Sequence, residues 1–293
     1  MSGRQWAGNT FGNGWMHRGL VFILRHVDVS VLYAFSAVFI VPFCLLFWRT
    51  GRRSSYSFFR KRLGYGRLKS ARMTFSNHLN FARIVIDRFA MYAGRTFEME
   101  VEGLEHFNRL AAGKEGFLHL SSHIGNYEMA GYTLVSENKV INAVVFSGEK
   151  ESVMKSRGDM FSRTNIRMIT IREDMSHLFE IDNALVGGDI VSFPSDRYLP
   201  GSRTLGCRIF GADASFPQGP FSVATMRGLE VLAVNVMKAG RKKYVIYVTP
   251  LHYDRTLSRR EQMQQLLEAY AGEMEKRVRQ YPGQWFNFFD FWK

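Results

Sequence analysis

Cysteine is nearly absent from this 293-residue chain. Cys44 and Cys207 stand alone, and neither has a Cys or His at the CxxC or CxxH spacing of a metal site. Two thiols build no disulfide framework, which points to a reducing compartment and a cytoplasmic catalytic body. Acidic residues are missing from the N-terminal quarter. Residues 1–72 hold twelve Lys/Arg and one acid, Asp28, so that stretch carries eleven of the thirteen net positive charges. A nucleic-acid binder spreads its basic residues over a folded face with stacking aromatics. Here they crowd around an apolar segment, the pattern of an anionic membrane surface, so nucleic acid is not the expected partner. No G-x-S-x-G elbow occurs, which argues against a serine esterase. There is no internal repeat and no low-complexity tract.

Charge is also absent from Val29–Trp48, twenty residues long enough to cross the hydrocarbon core. Pro42 lies inside it and is expected to kink it. Two readings are open: a membrane span, or a buried or interfacial apolar helix. The segment is too deep and too long for a cleaved signal peptide. Arg49, Arg52, Arg53, Arg60, Lys61 and Arg62 follow it, and the positive-inside rule then puts the C-terminal body in the cytoplasm. The chain divides on this reading into an anchor with a basic flank, residues 1–53, and a catalytic body, residues 54–293. Apolar residues make up 46%, enough for that body to bury a sizeable core.

Arg72–Tyr92 carries an apolar stripe near the 3.6 period and predicts a helix, with His78 on its polar, solvated face. From residue 97 strands and helices alternate: strands at Phe97–Val101, Val140–Phe146, Ile166–Ile171 and Asp189–Pro194, and helices at Gly103–Ala112, Lys150–Arg163 and Asp174–Val186. Leu229–Val236 and Tyr244–Val248 read as two more strands, and Arg259–Tyr281 as a final helix whose Met263 and Met274 are core packing. The fold class is α/β, a largely parallel central sheet flanked by helices and preceded by an N-terminal membrane-anchor helix.

The densest chemistry lies in Gly116–Leu134, GFLHLSSHIGNYEMAGYTL. Phe117–Leu120 has strand character, and a helix follows Glu128. His123 and Glu128 are five positions apart, so on a regular helix their side chains point roughly 140° apart. On a strand they fall on opposite faces. They meet only across a turn, which Gly125 and Asn126 supply. On this reading His123 is a general base and Glu128 holds one ring N–H, fixing the tautomer. The plainer reading is a surface His and a Glu that merely favours the first turn of a helix.

Ser195–Phe216 reads as a Gly-rich loop with Arg197, Arg203 and Arg208, following a strand end where α/β folds bind ligands. Arg guanidinium suits phosphate. Arg197 directly follows the strand, and Asp196 beside it is a second candidate acid. Gly219, in PQGP at a helix start, is placed to let a backbone N–H approach a ligand. The chain closes WFNFFDFWK, an aromatic tail that either packs across the core or lies at a membrane interface.

SSHIGNYE resembles the H-x4-D/E motif of the lysophospholipid acyltransferase superfamily. With FPSD, PQGP and QYPGQWFNFF, at that order and spacing, it is most similar to the bacterial lipid A late acyltransferases. The resemblance covers roughly residues 15–292. It implies His123 as catalytic base with Glu128 as its partner and Asp196 at a downstream acidic position; where Arg197 stands, many relatives have a different polar residue, and Gly125, Asn126, Arg197, Arg203 and Gly219 are read as substrate-binding from the turn, loop and helix start alone. It implies no metal and no cofactor beyond an acyl-thioester co-substrate, usually acyl carrier protein. It also implies a lipid-borne hydroxyl or amine acceptor, and an inner-membrane location facing the cytoplasm. A membrane thioesterase or lipid hydrolase, and a non-catalytic lipid-binding protein, are the competing expectations.

Overall fold

The central strands, Phe117–Ser121 and Val231–Lys238, are rich in apolar residues and buried almost throughout, as they must be when a sheet is covered on both faces. The computed structural model describes residues 14–146, 165–199 and 201–292; the helix expected at Lys150–Arg163 lies outside them. Seven strands make one sheet: β1 (Glu98–Glu102), β2 (Phe117–Ser121), β3 (Ile141–Phe146), β4 (Ile166–Ile171), β5 (Ile190–Pro194), β8 (Val231–Lys238) and β9 (Lys243–Leu251), in the order β1-β9-β8-β2-β5-β3-β4. Every pairing is parallel except β8 with β9. The central strand β2 is buried at all five positions. Edge strand β1 alternates exposed and half-buried residues, and Glu98 and Glu100 bind Lys243 at 3.2 and 2.9 Å, charges that blunt the open edge.

Successive side chains of a strand point to opposite faces, so the sheet divides two cores. Leu118 and Leu120 face one, which α8 (Gln218–Arg227) and α9 (Arg259–Gln280) close with Phe221, Leu266, Tyr270, Met274 and Val278. Phe117 faces the other, with Phe107 of α5 (Leu104–Ala112) and Ile84. Helix α9 starts on a capping box, Ser258 with Glu261. Helix α7 (His177–Val186) stands between β4 and β5. The aromatic tail covers the first core: Trp285 and Phe291 are buried, and Trp285 meets Phe58 and Phe210 edge-on and stacked at 4.9 and 5.7 Å.

Inside the stretch expected to be a loop there is a hairpin, β6 (Thr204–Ile209) with β7 (Ala212–Pro217). Its two-residue turn, Phe210-Gly211, has φ of 49° and 73°. Two positive φ values make this the turn whose twist suits a hairpin. Phe210 tolerates the left-handed backbone because its ring is buried against Trp285 and Phe58 and its N–H donates to Glu275 Oε2 at 2.7 Å.

At the N-terminus α1 (Gly14–His26) leads into the apolar helix α2 (Val29–Phe47). Before Pro42 the helix widens over Ser36–Ile40, and Val41 N–H reaches back to Ser36 O. Proline cannot donate to the preceding turn, and the wide turn absorbs the defect. Both helices lie along α4 (Arg67–Tyr92): Leu24, Val29 and Tyr33 form a small core with Ile86 and Ala90. The opposite face of α2 is open, with Val31, Phe35, Val38, Phe39, Phe43 and Phe47 all at least half exposed. The division at residue 53 falls within helix α3 (Arg49–Ser57). Part of the basic cluster is built in: Arg52 Nη1 donates to Leu45 O at 2.7 Å, and Arg62 stacks over Trp292 at 4.6 Å.

His78 is not solvated. It is buried on α4, its Nδ1 2.9 Å from Thr74 O, its ring beside Trp48 and Phe288. The polar side of α4 faces inward because α1, α2, α3 and the tail pack around it.

Candidate functional site

The register of β2 and β5 builds the site. Ser121 pairs with Pro194, and Ser195 N–H donates to Ser121 O at 2.8 Å, carrying the pairing past the strand ends. His123 and Asp196 each lie two residues beyond that last pair, level with one another at the carboxyl end of the sheet, where α/β folds bind ligands. His123 Nδ1 is 2.7 Å from Asp196 Oδ1, and His123 backbone N–H donates to Asp196 Oδ2 at 3.0 Å.

Both carboxylate oxygens are thus engaged, and Asp196 is 1% exposed. Burial pushes its pKa up, but the His123 ring, the hydrogen bonds from it and Arg197 outweigh burial and hold Asp196 below its ordinary value. An ionised carboxylate only accepts, so Nδ1 carries the proton and Nε2 is the basic nitrogen. His123 itself is lowered: burial and the positive charges of Arg197 and Arg88 outweigh Asp196. The neutral, proton-accepting form therefore persists below the usual imidazole range.

The ring N–H assigned from sequence to Glu128 goes to Asp196 instead. Glu128 sits in the short turn Tyr127–Met129 that opens α6 (Ala130–Thr133). Its Oε1 is 3.1 Å from Arg88 Nη1 and its Oε2 accepts from Tyr92 Oη at 3.2 Å, both on α4. Glu128 reaches the histidine indirectly. Tyr127 stands edge-on to the His123 ring at 5.3 Å, and the Arg88 guanidinium lies 6.0 Å from the Tyr127 ring.

Gly125 makes the expected turn, with φ of 56°. A Cβ there would lie 1.8 Å from Val236 O, so no other residue fits without moving β8. Its N–H donates to Gln284 O and that of Asn126 to Val236 O, each at 2.8 Å. These two groups were expected to meet substrate; the structure spends both donors on holding the turn, and Asn126 is fully buried. The tail pins the same turn from the other side. Phe286 N–H donates to His123 O at 3.2 Å, and Arg197 Nη2 donates to Phe286 O at 2.9 Å.

Arg197 thus belongs to the site through its charge and through the tail. Arg203 and Gly219 do not join it. Both are exposed, and Arg203 O accepts from Gln218 N–H at 3.0 Å, tying the hairpin to the start of α8. Among the described residues no hydrogen bond or ion pair links either to His123. Arg88, Tyr92 and Phe286 were not legible as site residues, because no local motif marks them and only the packing of α4 and the tail brings them in. Among the described residues no three His, Cys, Asp or Glu side chains gather as a metal cage.

The arrangement can move one proton at Nε2 and stabilise the imidazolium that results, within reach of two guanidinium fields. Comparison with known proteins places the chain in a family. A family model described as bacterial lipid A biosynthesis acyltransferase matches residues 78–293, a span that includes His123, Glu128, Asp196 and the tail. No curated protein sequence matches. Among solved structures, the crystal structure of the 1-acyl-sn-glycerophosphate (LPA) acyltransferase PlsC from Thermotoga maritima is similar, at 15% identity over 92% of this chain and 99% of that one, with a TM-score of 0.38.

Proposed function

The chain belongs to the bacterial lipid A biosynthesis acyltransferase family, and from that premise we propose that it moves a fatty acyl group from acyl carrier protein to a hydroxyl or amine of a glycolipid in the inner membrane. The observation that carries the catalytic part is the 2.7 Å contact between His123 Nδ1 and the buried Asp196 carboxylate. Nε2 of His123 takes the proton of the acceptor O–H or N–H as that atom attacks the thioester carbonyl. The tetrahedral oxyanion forms in the field of Arg88 and Arg197, whose positive charges already act on His123. Collapse of the intermediate breaks the C–S bond, and the departing thiolate takes the proton back from Nε2. Asp196 holds the tautomer and stabilises the imidazolium. Glu128 is a positioning residue that fixes Arg88 and, through the turn, Tyr127.

The open apolar face of α2 meets the bilayer in this reading. Its other face is closed against α4, so the helix lies along the membrane surface with the body on the cytoplasmic side. Arg53 and Lys61, both exposed, add attraction to anionic lipid.

Incubation of the full chain with acyl carrier protein bearing a labelled acyl group and a bacterial membrane lipid extract tests the proposal. A labelled glycolipid is the expected product. Labelled free fatty acid alone would make the protein a hydrolase, and no turnover with any acceptor would leave it without this activity.

A further inference from the structure

A cavity of about 570 Å³ opens between α2 and the end of β8, and it is basic. Arg83 of α4, Lys238 of β8 and Arg241 of the β8–β9 turn line it. Lys238 is compensated, with Nζ 2.5 Å from Asp87 Oδ2, and Tyr33 and Tyr244 also donate to that carboxylate. Arg83 and Arg241 are not. Among the described residues neither has a carboxylate partner, and the only side-chain bond of Arg83 is a long one, 3.4 Å to Asn80 Oδ1. Among the described residues, the Nε of Arg83 and the hydroxyl of Ser30 are buried with no hydrogen-bond partner. Buried donors without acceptors cost free energy comparable to a lost hydrogen bond, which an anion placed between them recovers.

Helix α2 supplies another part of the wall, through Ser30, Tyr33, Ala34 and Ala37. The same helix turns Val31, Phe35 and Val38 outward. A ligand with an anionic head in the cavity therefore has an apolar surface beside it for its chains. We propose that this cavity is a binding site for a lipid phosphate, with Arg83 and Arg241 as the two charged ligands and Ser30 as a neutral donor. The inference rests on the reading that the open face of α2 meets a bilayer. The site also borders the catalytic turn: Gln284, in the cavity wall, brackets Lys238 with its side chain (2.9 Å to N, 2.8 Å to O) and accepts Gly125 N–H with its carbonyl.

The test uses the full chain, purified in nonionic detergent that is removed before vesicles are added, and needs no acyl donor, so it is independent of turnover. Binding is measured to phosphatidylcholine vesicles with and without phosphatidylglycerol, for the wild type, the Arg83→Gln/Arg241→Gln double variant and Arg53→Gln, an exposed control. Losing a charge-assisted hydrogen bond costs roughly tenfold per guanidinium, against about fivefold for a surface charge, so the double variant should lose about a hundredfold of its preference for phosphatidylglycerol. Arg83→Lys, which keeps the charge, should retain most of it. Competition by inorganic phosphate would show that the phosphate group alone suffices; failure to compete would assign the site to the lipid. A double variant that loses no more than twice the free energy lost by Arg53→Gln, about 25-fold in all, overturns the proposal. If the wild type binds no vesicles, the bilayer reading fails, and phosphorus-31 line broadening decides the site. Inorganic phosphate bound by the wild type and not by the double variant upholds it; no difference between them overturns it.

Discussion

Asp196→Asn is the sharpest probe of the site. Asp196 uses one oxygen for His123 Nδ1–H and the other for His123 backbone N–H, at 2.7 and 3.0 Å. Asparagine has a single acceptor oxygen. If that oxygen keeps the backbone N–H, the amide NH₂ faces Nδ1 and selects the tautomer in which Nε2 is protonated and cannot act as a base. If it keeps Nδ1, the NH₂ faces a buried N–H, a donor against a donor costing about 1–3 kcal/mol. In either case the imidazolium loses its counter-charge. Together these amount to roughly 3–5 kcal/mol, or about 10²–10⁴ in kcat. The carboxylate also raises the pKa of His123 against burial, so removing it drives that pKa further down. The acid limb of kcat/KM, expected below the ordinary imidazole value in the wild type, should move lower still. Transfer of a labelled acyl group into extracted lipid, measured across pH and alongside Tm, reads both effects. An Asp196→Asn enzyme within about fivefold of wild type, with an unmoved acid limb, would refute the pairing as the catalytic unit.

Glu128→Gln keeps its reach to Arg88 and Tyr92 but strips the charge from a buried pair, so kcat should fall by at least about tenfold less than in Asp196→Asn, in the same assay. The double variant His123→Ala/Asp196→Asn should be no slower than His123→Ala alone, because both act through one proton; a loss equal to the product of the single losses would separate them. Gly125→Ala places a Cβ 1.8 Å from Val236 O at positive φ, and a cost above about 4 kcal/mol should lower Tm by roughly 10 °C or more in calorimetry. His119, buried between Phe107 and Phe117, has its pKa pushed down to about 3 by burial. Its unfolded pKa is the higher one, so stability is full above about pH 6.5 and is lost as pH falls toward 3, at about 1.4 kcal/mol per unit. Acid unfolding should therefore shift to lower pH in His119→Gln.

The strands β3, β4 and β5 were legible because each is a short run rich in Ile, Val and other apolar residues between turn residues. The hairpin β6–β7 was not, because Phe210 stands where such a turn usually shows Asn or Asp. Its positive φ is tolerated through contacts with Trp285 and Phe58, far away in the chain. His123 and Asp196 were both visible as strand-end residues with the right chemistry. Their pairing was not, because it depends on β5 lying beside β2, and two strands separate these in sequence. Proximity along the chain favoured Glu128, five residues on, over Asp196, seventy-three residues on and level in register. The donors of Gly125 and Asn126 looked available because the strand β8 and the tail that consume them leave no mark near residue 125.

Helix α2 is a wall of the folded body as well as the surface proposed above to meet lipid, since Tyr33 and Val29 share a core with Ile86 and Ala90. Partition into a bilayer and folding are then a single linked equilibrium. Lipid that holds α2 only in its docked position stabilises the native state by mass action, so the melting temperature should climb with lipid concentration as it does for a ligand. The converse also holds: a core mutation at Ile86 should loosen attachment to membranes without touching a residue that meets lipid. Cutting the chain before Arg49 would not yield an untethered enzyme. It would strip Tyr33 from Asp87 and open Ile86, Ala90 and the Asp87–Lys238 pair to water, leaving a body with one side missing.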